Sequence, residues 1–223
     1  MIRTLQLSYS YAKGPTLHFP DVAVAQGGML LLGGPSGAGK STWLALAAGL
    51  MAPTAGELAV AGQALGAGGA ALKAAALDAW RARTVGFLPQ KLHLSAALTV
   101  HDNLAMAQWA AGQTQNEQRI TAALSALGVQ ELALRKPAQL SGGQGLRVAL
   151  ARAVLLQPKV ILADEPTASL DDDAVAASLA LLEATSQREG ATLVIATHDR
   201  RVAAHFDQKN GKNSFTSIEF GHK

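Results

Sequence analysis

Residues Gly34-Pro-Ser-Gly-Ala-Gly-Lys40-Ser41 carry the strongest chemical signal in the chain. Polyphosphate binding needs several N–H donors aimed at one small volume, and Gly34, Gly37 and Gly39 permit the tight backbone curl that achieves this. The run lies between an apolar stretch, Met29–Leu32, and a helical pattern beginning near Lys40, so a helix N-terminus adds its positive dipole end. In a G-x-x-x-x-G-K-[ST] run the lysine meets the β- and γ-phosphates, and the next hydroxyl, Ser41, ligates Mg²⁺. Pro35, Ser36, Ala38 and Thr42 complete the cradle by position. The implied chemistry is that of an NTPase or kinase.

Val160-Ile-Leu-Ala-Asp164-Glu165 is a buried-strand pattern ending in two acids. Asp164, at the strand's end, is placed to sit beside the cradle and hold Mg²⁺ through water, as a Walker-B acid does. Glu165 points elsewhere, suited to orienting and deprotonating an attacking water. A third element, Leu140-Ser-Gly-Gly-Gln144, precedes a helix about twenty residues before Asp164. Ser141 offers a hydroxyl, and Gly142 and Gly143 expose N–H groups at a helix start, which makes a second anion site. One chain has no need of two γ-phosphate sites so far apart, so this one is expected to serve the nucleotide held by another copy.

Stepped apolar runs must position these groups. Strands are expected at Arg3–Leu7, Met29–Leu32, Glu57–Val60, Thr84–Leu88, Lys159–Ala163 and Thr192–Ala196, alternating with helices at Lys40–Gly49, Val100–Ala111, Glu117–Leu127, Gly143–Leu156 and Asp172–Arg188. That alternation predicts an α/β fold with a mainly parallel sheet covered by helices. Thr99 with Asp102 reads as a capping box. Residues Val100–Leu140 contain no strand pattern and read as an all-helical lobe inserted between two strands. The alanine- and glycine-rich stretch Ala61–Ala76 reads as a flexible surface connection.

Composition sets the outer bounds. At 223 residues the chain can bury a core without disulfides or metal, and it has no cysteine for either a disulfide or a thiolate site. The opening residues lack the apolar core of a secretory signal. Its apolar runs fall far short of a membrane span, which predicts a domain soluble by itself. A net charge of +3, spread along the chain, makes no basic stripe, so no nucleic-acid partner is expected. His18, His93, His101, His205 and His222 form no ligand spacing.

Together these motifs resemble those of the ABC (ATP-binding-cassette) ATPase family, over nearly the whole chain. Ser141–Gln144 looks like its signature motif, Ser169-Leu170-Asp171 like its D-loop, and His198 like the switch histidine that contacts the γ-phosphate. Gln90 looks like the Q-loop glutamine that touches Mg²⁺ and senses a membrane partner. Tyr11 looks like the aromatic that stacks on adenine, with Tyr9 as its rival. The resemblance implies a P-loop NTPase core with an N-terminal antiparallel β subdomain and a helical signature subdomain over roughly 95–157. It also implies ATP and Mg²⁺ as ligands, a nucleotide-sandwich dimer with a second copy, and a separately encoded transmembrane subunit at the cytoplasmic face of the inner (plasma) membrane. Gly145 departs from the polar residue common after the signature, at a cost of up to about 1 kcal/mol in the first helical turn.

The short chain and the run Asp164-Glu-Pro-Thr-Ala-Ser-Leu-Asp171 look most like the lipoprotein-release, macrolide-efflux and cell-division group, in which the ATPase drives a periplasmic machine. The alternatives are the ATPase of an ordinary importer or exporter, and a soluble relative acting on DNA or the ribosome. The latter usually carries two cassettes or a long coiled-coil insertion, and neither is seen here. Leu92, Leu94 and Leu98 are apolar within a connecting segment, which predicts a docking patch for a helix of the membrane protein, the alternative being that they anchor the lobe to the core.

Overall fold

The computed structural model describes residues 1–66, 73–168, 170–210 and 215–221. In chain order its elements are β1 (Ile2–Ser10), β2 (Thr16–His18), β3 (Val22–Val24), β4 (Met29–Gly33), α1 (Lys40–Ala47), β5 (Ala55–Val60), β6 (Gln63–Ala64), α2 (Ala74–Thr84) and β7 (Val85–Leu88). These are followed by α3 (Val100–Ala110), α4 (Glu117–Ala126), α5 (Gly142–Val154), β8 (Val160–Asp164), α6 (Asp172–Glu189), β9 (Thr192–Ala196), α7 (Arg200–Asn210) and β10 (Thr216–Glu219). Two 3-10 turns, Gln130–Leu132 and Pro137–Gln139, lie between α4 and α5.

The central sheet runs β10-β4-β9-β8-β7, and every pairing in it is parallel. Parallel strands covered on both faces read as continuous apolar runs, because each alternate side chain meets a different core. Here Leu30 and Leu32 of β4, Val160 and Leu162 of β8, and Val194 and Ala196 of β9 join one cluster, which also holds Trp43 of α1 and Leu58 of β5. Their neighbours Leu31, Ile161, Ala163, Leu193 and Ile195 face a second cluster with α5, α6, α7 and the helices of the lobe. Each fully buried aliphatic side chain contributes about 1.5–3 kcal/mol relative to exposure. A one-residue register slip would exchange the two cores.

A second sheet, β2-β1-β5-β6 with β3 also on β1, is antiparallel throughout. It forms the N-terminal β layer over α1. Between β7 and β8 come α3, α4 and α5. Thr99 caps α3 by accepting from the Asp102 N–H at 3.1 Å while donating its hydroxyl to the Asp102 carboxylate at 2.7 Å.

Some elements differ from expectation. Ala61–Ala76 is not only a connection, since it contains β6 and opens α2, whose Leu77 and Trp80 cover Gly49; residues 67–72 of that stretch lie outside the described ones. Thr84 closes α2 rather than opening a strand. Leu92 and Leu94 do not form an open patch. They pack against the larger core cluster, and Arg152 of α5 holds the segment by donating to the carbonyls of Leu92 and His93 at 2.7 and 2.8 Å. Those leucines anchor the helical lobe to the sheet. Among the described residues no helix is long and apolar enough to cross a membrane.

Candidate functional site

Because all strands of the central sheet run the same way, their carboxyl ends share one edge, the usual place for a ligand in such a sheet. β4 delivers Gly34 there, β7 delivers Gln90, β8 delivers Asp164 and Glu165, and β9 delivers His198. Tyr11, Ser36, Gly37, Gly39, Lys40, Ser41, Thr42, Gln90, Glu165 and His198 line one cleft of about 460 Å³, together with Pro15 and Leu17. Ser169 and His222 lie outside the described residues.

The phosphate loop depends on glycine at two points for different reasons. Gly34 has φ +128° and a side chain there would meet the Phe220 carbonyl at 2.5 Å, so both conformation and space require glycine. Gly39 caps α1 in the left-handed region at φ 101°, close against Leu17. No side chain caps α1, which leaves its first N–H groups directed at the cleft for an anion. Lys40 is only 5 % exposed, and its ammonium donates to the Gly34 and Pro35 carbonyls at 2.7 and 3.0 Å. It also lies 3.6 Å from the Glu165 carboxylate. The loop thus holds its own lysine curled inward.

Tyr11 is half exposed at the cleft wall, with its hydroxyl 2.7 Å from that of Thr42. Tyr9 stands edge-on to it at 4.8 Å and packs into the smaller core. The pair divides the work: Tyr9 supports, Tyr11 faces the cleft.

The two acids occupy different environments. Asp164 has a buried carboxylate oxygen, Oδ1, with no hydrogen-bond partner among the described residues. Burial pushes its carboxyl above the ordinary range; the Ser41 hydroxyl partly offsets this, and the charge of Glu165 adds to it. Such an orphaned oxygen beside a hydroxyl suits a divalent cation. Glu165 sits at φ 47°, a strained value for a side-chain-bearing residue, as the chain leaves β8. Its carboxylate accepts from the Thr197 hydroxyl at 2.9 Å and the His198 N–H at 3.4 Å, and faces His198 Nδ1 at 2.8 Å. His198 therefore rests on Glu165, although 58 % of its side chain is exposed. Thr197 is not singled out by sequence reasoning; a threonine before a histidine at a strand end carries no signal alone.

The second glycine-rich element lies apart. Ser141–Gln144 do not line the phosphate-loop cleft. Gly142 and Gly143 instead line a neighbouring apolar cleft of about 320 Å³ that Gln90 and Glu165 edge. Ser141 caps α5 through a reciprocal pair: its Oγ accepts from the Gln144 N–H at 3.3 Å, and its own N–H donates to Gln144 Oε1 at 2.9 Å. This box offsets the helix weakness expected of Gly145, whose N–H still donates to the Ser141 carbonyl at 2.9 Å. A side-chain carbon at Gly142 or Gly143 would meet nothing within 4 Å, and neither residue has a positive φ. Nothing among the described residues calls for glycine at either place.

Known proteins are similar to this chain in sequence and in fold. The family model described as ABC transporter matches residues 17–168. The lipoprotein-releasing system ATP-binding protein LolD of Chromohalobacter salexigens is 37 % identical over 93 % of this chain and 89 % of its own length. That of Anaeromyxobacter dehalogenans is 41 % identical over 87 % and 81 %. The arginine transport ATP-binding protein ArtP of Haemophilus influenzae is 38 % identical over 91 % and 84 %. Among solved structures, the ATP-binding cassette MJ0796, a dimer in a post-hydrolysis state bound to ADP and Pi, superposes with a TM-score of 0.78. It is 30 % identical over 92 % of this chain and 91 % of its own. With this family match laid over strands that gather a phosphate loop, two acids and a histidine at one edge, the chain belongs to the ABC transporter family, as an ATP-binding and ATP-hydrolysing subunit.

Proposed function

We propose that two copies of this chain close on two ATP molecules. Each nucleotide is held by the phosphate loop of one copy, residues Gly34–Thr42, with Tyr11 on the adenine, and by Ser141, Gly142, Gly143 and Gln144 of the other. The observation that carries this reading is the pair Gly142 and Gly143, open on their own chain yet glycine, at a helix N-terminus able to meet an anion. The dimeric state of the cassette MJ0796 supports it. The whole chain, 1–223, acts as one ABC ATPase domain with the helical subdomain over 95–157.

Ser41, Gln90 and Asp164 are the residues that would hold Mg²⁺, and the unpartnered Oδ1 of Asp164 supports their fitness for it. When bound, the ion supplies charge neutralisation to the β- and γ-phosphate oxygens. The chain's own groups do the rest. An arriving phosphate draws Lys40 off the Gly34 and Pro35 carbonyls. His198 leaves Glu165 to brace the γ-phosphate, which frees Glu165 Oε1 to orient the attacking water and take its proton. Water attack breaks the bond between the β- and γ-phosphoryl groups, leaving ADP and phosphate in place of the ATP that joins the copies, and the dimer opens.

A separately encoded membrane subunit takes up that motion, with this chain peripheral to it at the cytoplasmic face of the inner membrane. The lipoprotein-releasing relatives favour the group in which the ATPase drives a periplasmic machine. The ArtP likeness keeps an ordinary importer as the alternative. Identifying the membrane protein that co-purifies with the chain separates the two, since a partner with a large extracytoplasmic domain is expected of the first group alone.

The shared site is tested by mixing chains bearing Lys40→Ala with chains bearing Ser141→Arg. Each variant alone is expected to be inactive, whereas mixed dimers retain one composite site with both halves intact. Partial ATPase activity dependent on mixing is the expected result. A mixture as inactive as its parents, with dimers present, overturns the reading.

A further inference from the structure

Two segments meet beside the hydrolytic groups, and one side chain bonds to both of them. Arg201, the second residue of α7, places Nε 3.0 and 3.1 Å from the two Asp199 oxygens and Nη2 2.8 Å from Oδ2. Its Nη1 donates to Asp172 at 2.6 Å and to the Leu170 carbonyl at 3.3 Å, with Nη2 3.4 Å from the same carbonyl. Asp199 also accepts from the Thr167 hydroxyl at 3.1 Å. Its own N–H donates to Thr197 Oγ1 at 3.0 Å, and that hydroxyl in turn donates to Glu165. A continuous path of hydrogen bonds therefore runs from the Leu170–Asp172 segment through Arg201 and Asp199 to Thr197, Glu165 and His198.

We infer that Arg201 is a positioning residue that holds the Leu170–Asp172 segment and the Thr197–Asp199 loop in one fixed relation, so that closure against a second copy at the first sets the hydrolytic groups at the second. This rests on the dimer proposed above. A single exposed ion pair is worth little, but a guanidinium fork that bridges two carboxylates and a carbonyl fixes direction as well as distance. Capping of α7 alone does not account for it. Asp199 already caps that helix, accepting from the Arg201 N–H at 3.0 Å, whereas Asp172 and Leu170 lie off α7 altogether. Lysine, a point charge on a flexible stem, can keep one of these partners and not the set.

Two measurements test the clasp. In steady-state hydrolysis, Arg201→Ala and Arg201→Lys are both expected to lower kcat about tenfold, the scale of one or two lost charge-assisted hydrogen bonds. The KM for ATP stays at the wild-type value, because Arg201 does not line the cleft, and the nucleotide-free melting temperature falls by no more than about 2–4 °C, because these ion pairs are solvent-exposed. Unchanged kcat overturns the inference. So does a loss that tracks melting temperature and is restored by lysine, since that marks plain support of the fold.

The second measurement is ATP-dependent dimerisation by light scattering, comparing Glu165→Gln with the double variant Glu165→Gln/Arg201→Ala. The single variant is expected to dimerise with ATP and the double variant to do so more weakly. Equal dimerisation of both refutes the clasp and leaves the dimer standing. A single variant that stays monomeric refutes the dimer reading and takes the clasp with it.

Discussion

Glu165→Gln separates chemistry from binding at this site. The carboxylate is 11 % exposed and has three neighbours that donate or face it, from Thr197 and His198, with Lys40 3.6 Å away. Glutamine keeps a carbonyl oxygen for the Thr197 hydroxyl and the His198 N–H. It loses the charge-assisted partner of His198 and Lys40, but it also removes the anion that repels Asp164. These changes oppose each other, so the nucleotide-free fold is expected to shift by no more than about 1 kcal/mol, or roughly 2–4 °C in melting temperature. The backbone strain at φ 47° is common to both residues.

Catalysis is another matter, because an amide cannot accept a proton from water. A positioned general base contributes about 10²–10⁴ in rate, or about 3–5 kcal/mol of barrier. Phosphate release by Glu165→Gln should therefore fall by about 10²–10⁴ while ATP affinity stays within a few-fold, on the order of 1 kcal/mol. Turnover near the wild-type rate would show that Glu165 is not the base. Turnover and ATP affinity lost together would show that its function is to hold the loop around Lys40.

Three further outcomes follow from the geometry. Gly34→Ala must place a methyl 2.5 Å from the Phe220 carbonyl at φ +128°, so nucleotide binding should be lost, measured by titration calorimetry. Gly145→Ala adds a methyl at an ordinary 3.4 Å from Leu92 inside a helix, and should raise the melting temperature by about 2–4 °C without altering the ATP KM. Asp164 has a folded pKa raised by burial, so the folded state binds its proton more tightly than the unfolded chain does. Its contribution to stability therefore falls as pH rises from the ordinary carboxylate range through the raised value. Asp164→Asn should stabilise the metal-free protein at pH 7 in thermal melts, less so at acid pH, while abolishing hydrolysis.

How much the sequence reveals follows from what each segment must bury. β4, β8 and β9 are legible because both faces meet a core, which leaves runs such as Val160–Ala163 without a polar interruption. β2, β3, β6 and β10 are two to four residues long, too short for a period to emerge. α2 hides in an alanine-rich stretch where Thr84 is its one fully buried residue. Leu92 and Leu94 fit two readings in the sequence, a surface patch or an anchor for the lobe; only the tertiary contact with Arg152 and the core decides for the anchor. The phosphate loop is legible from spacing alone, since its function is written in backbone amides. The cage around Glu165 is not, because Thr197 and His198 reach it from 32 and 33 positions away.

The order of the central sheet has a consequence for how the subunit comes into being. β4, which ends in the phosphate loop, is flanked on one side by β9 at 192–196 and on the other by β10 at 216–219. A ribosome releases β4 early and both of its neighbours late. For most of translation the nucleotide motif hangs from a strand that has no ladder partner, and the Phe220 carbonyl that packs over Gly34 has not been made. The phosphate loop therefore gains its ladder support only once β9 and β10 have been made. A chain abandoned before Thr192 carries the whole phosphate-binding motif on a strand that lacks both of its ladder partners.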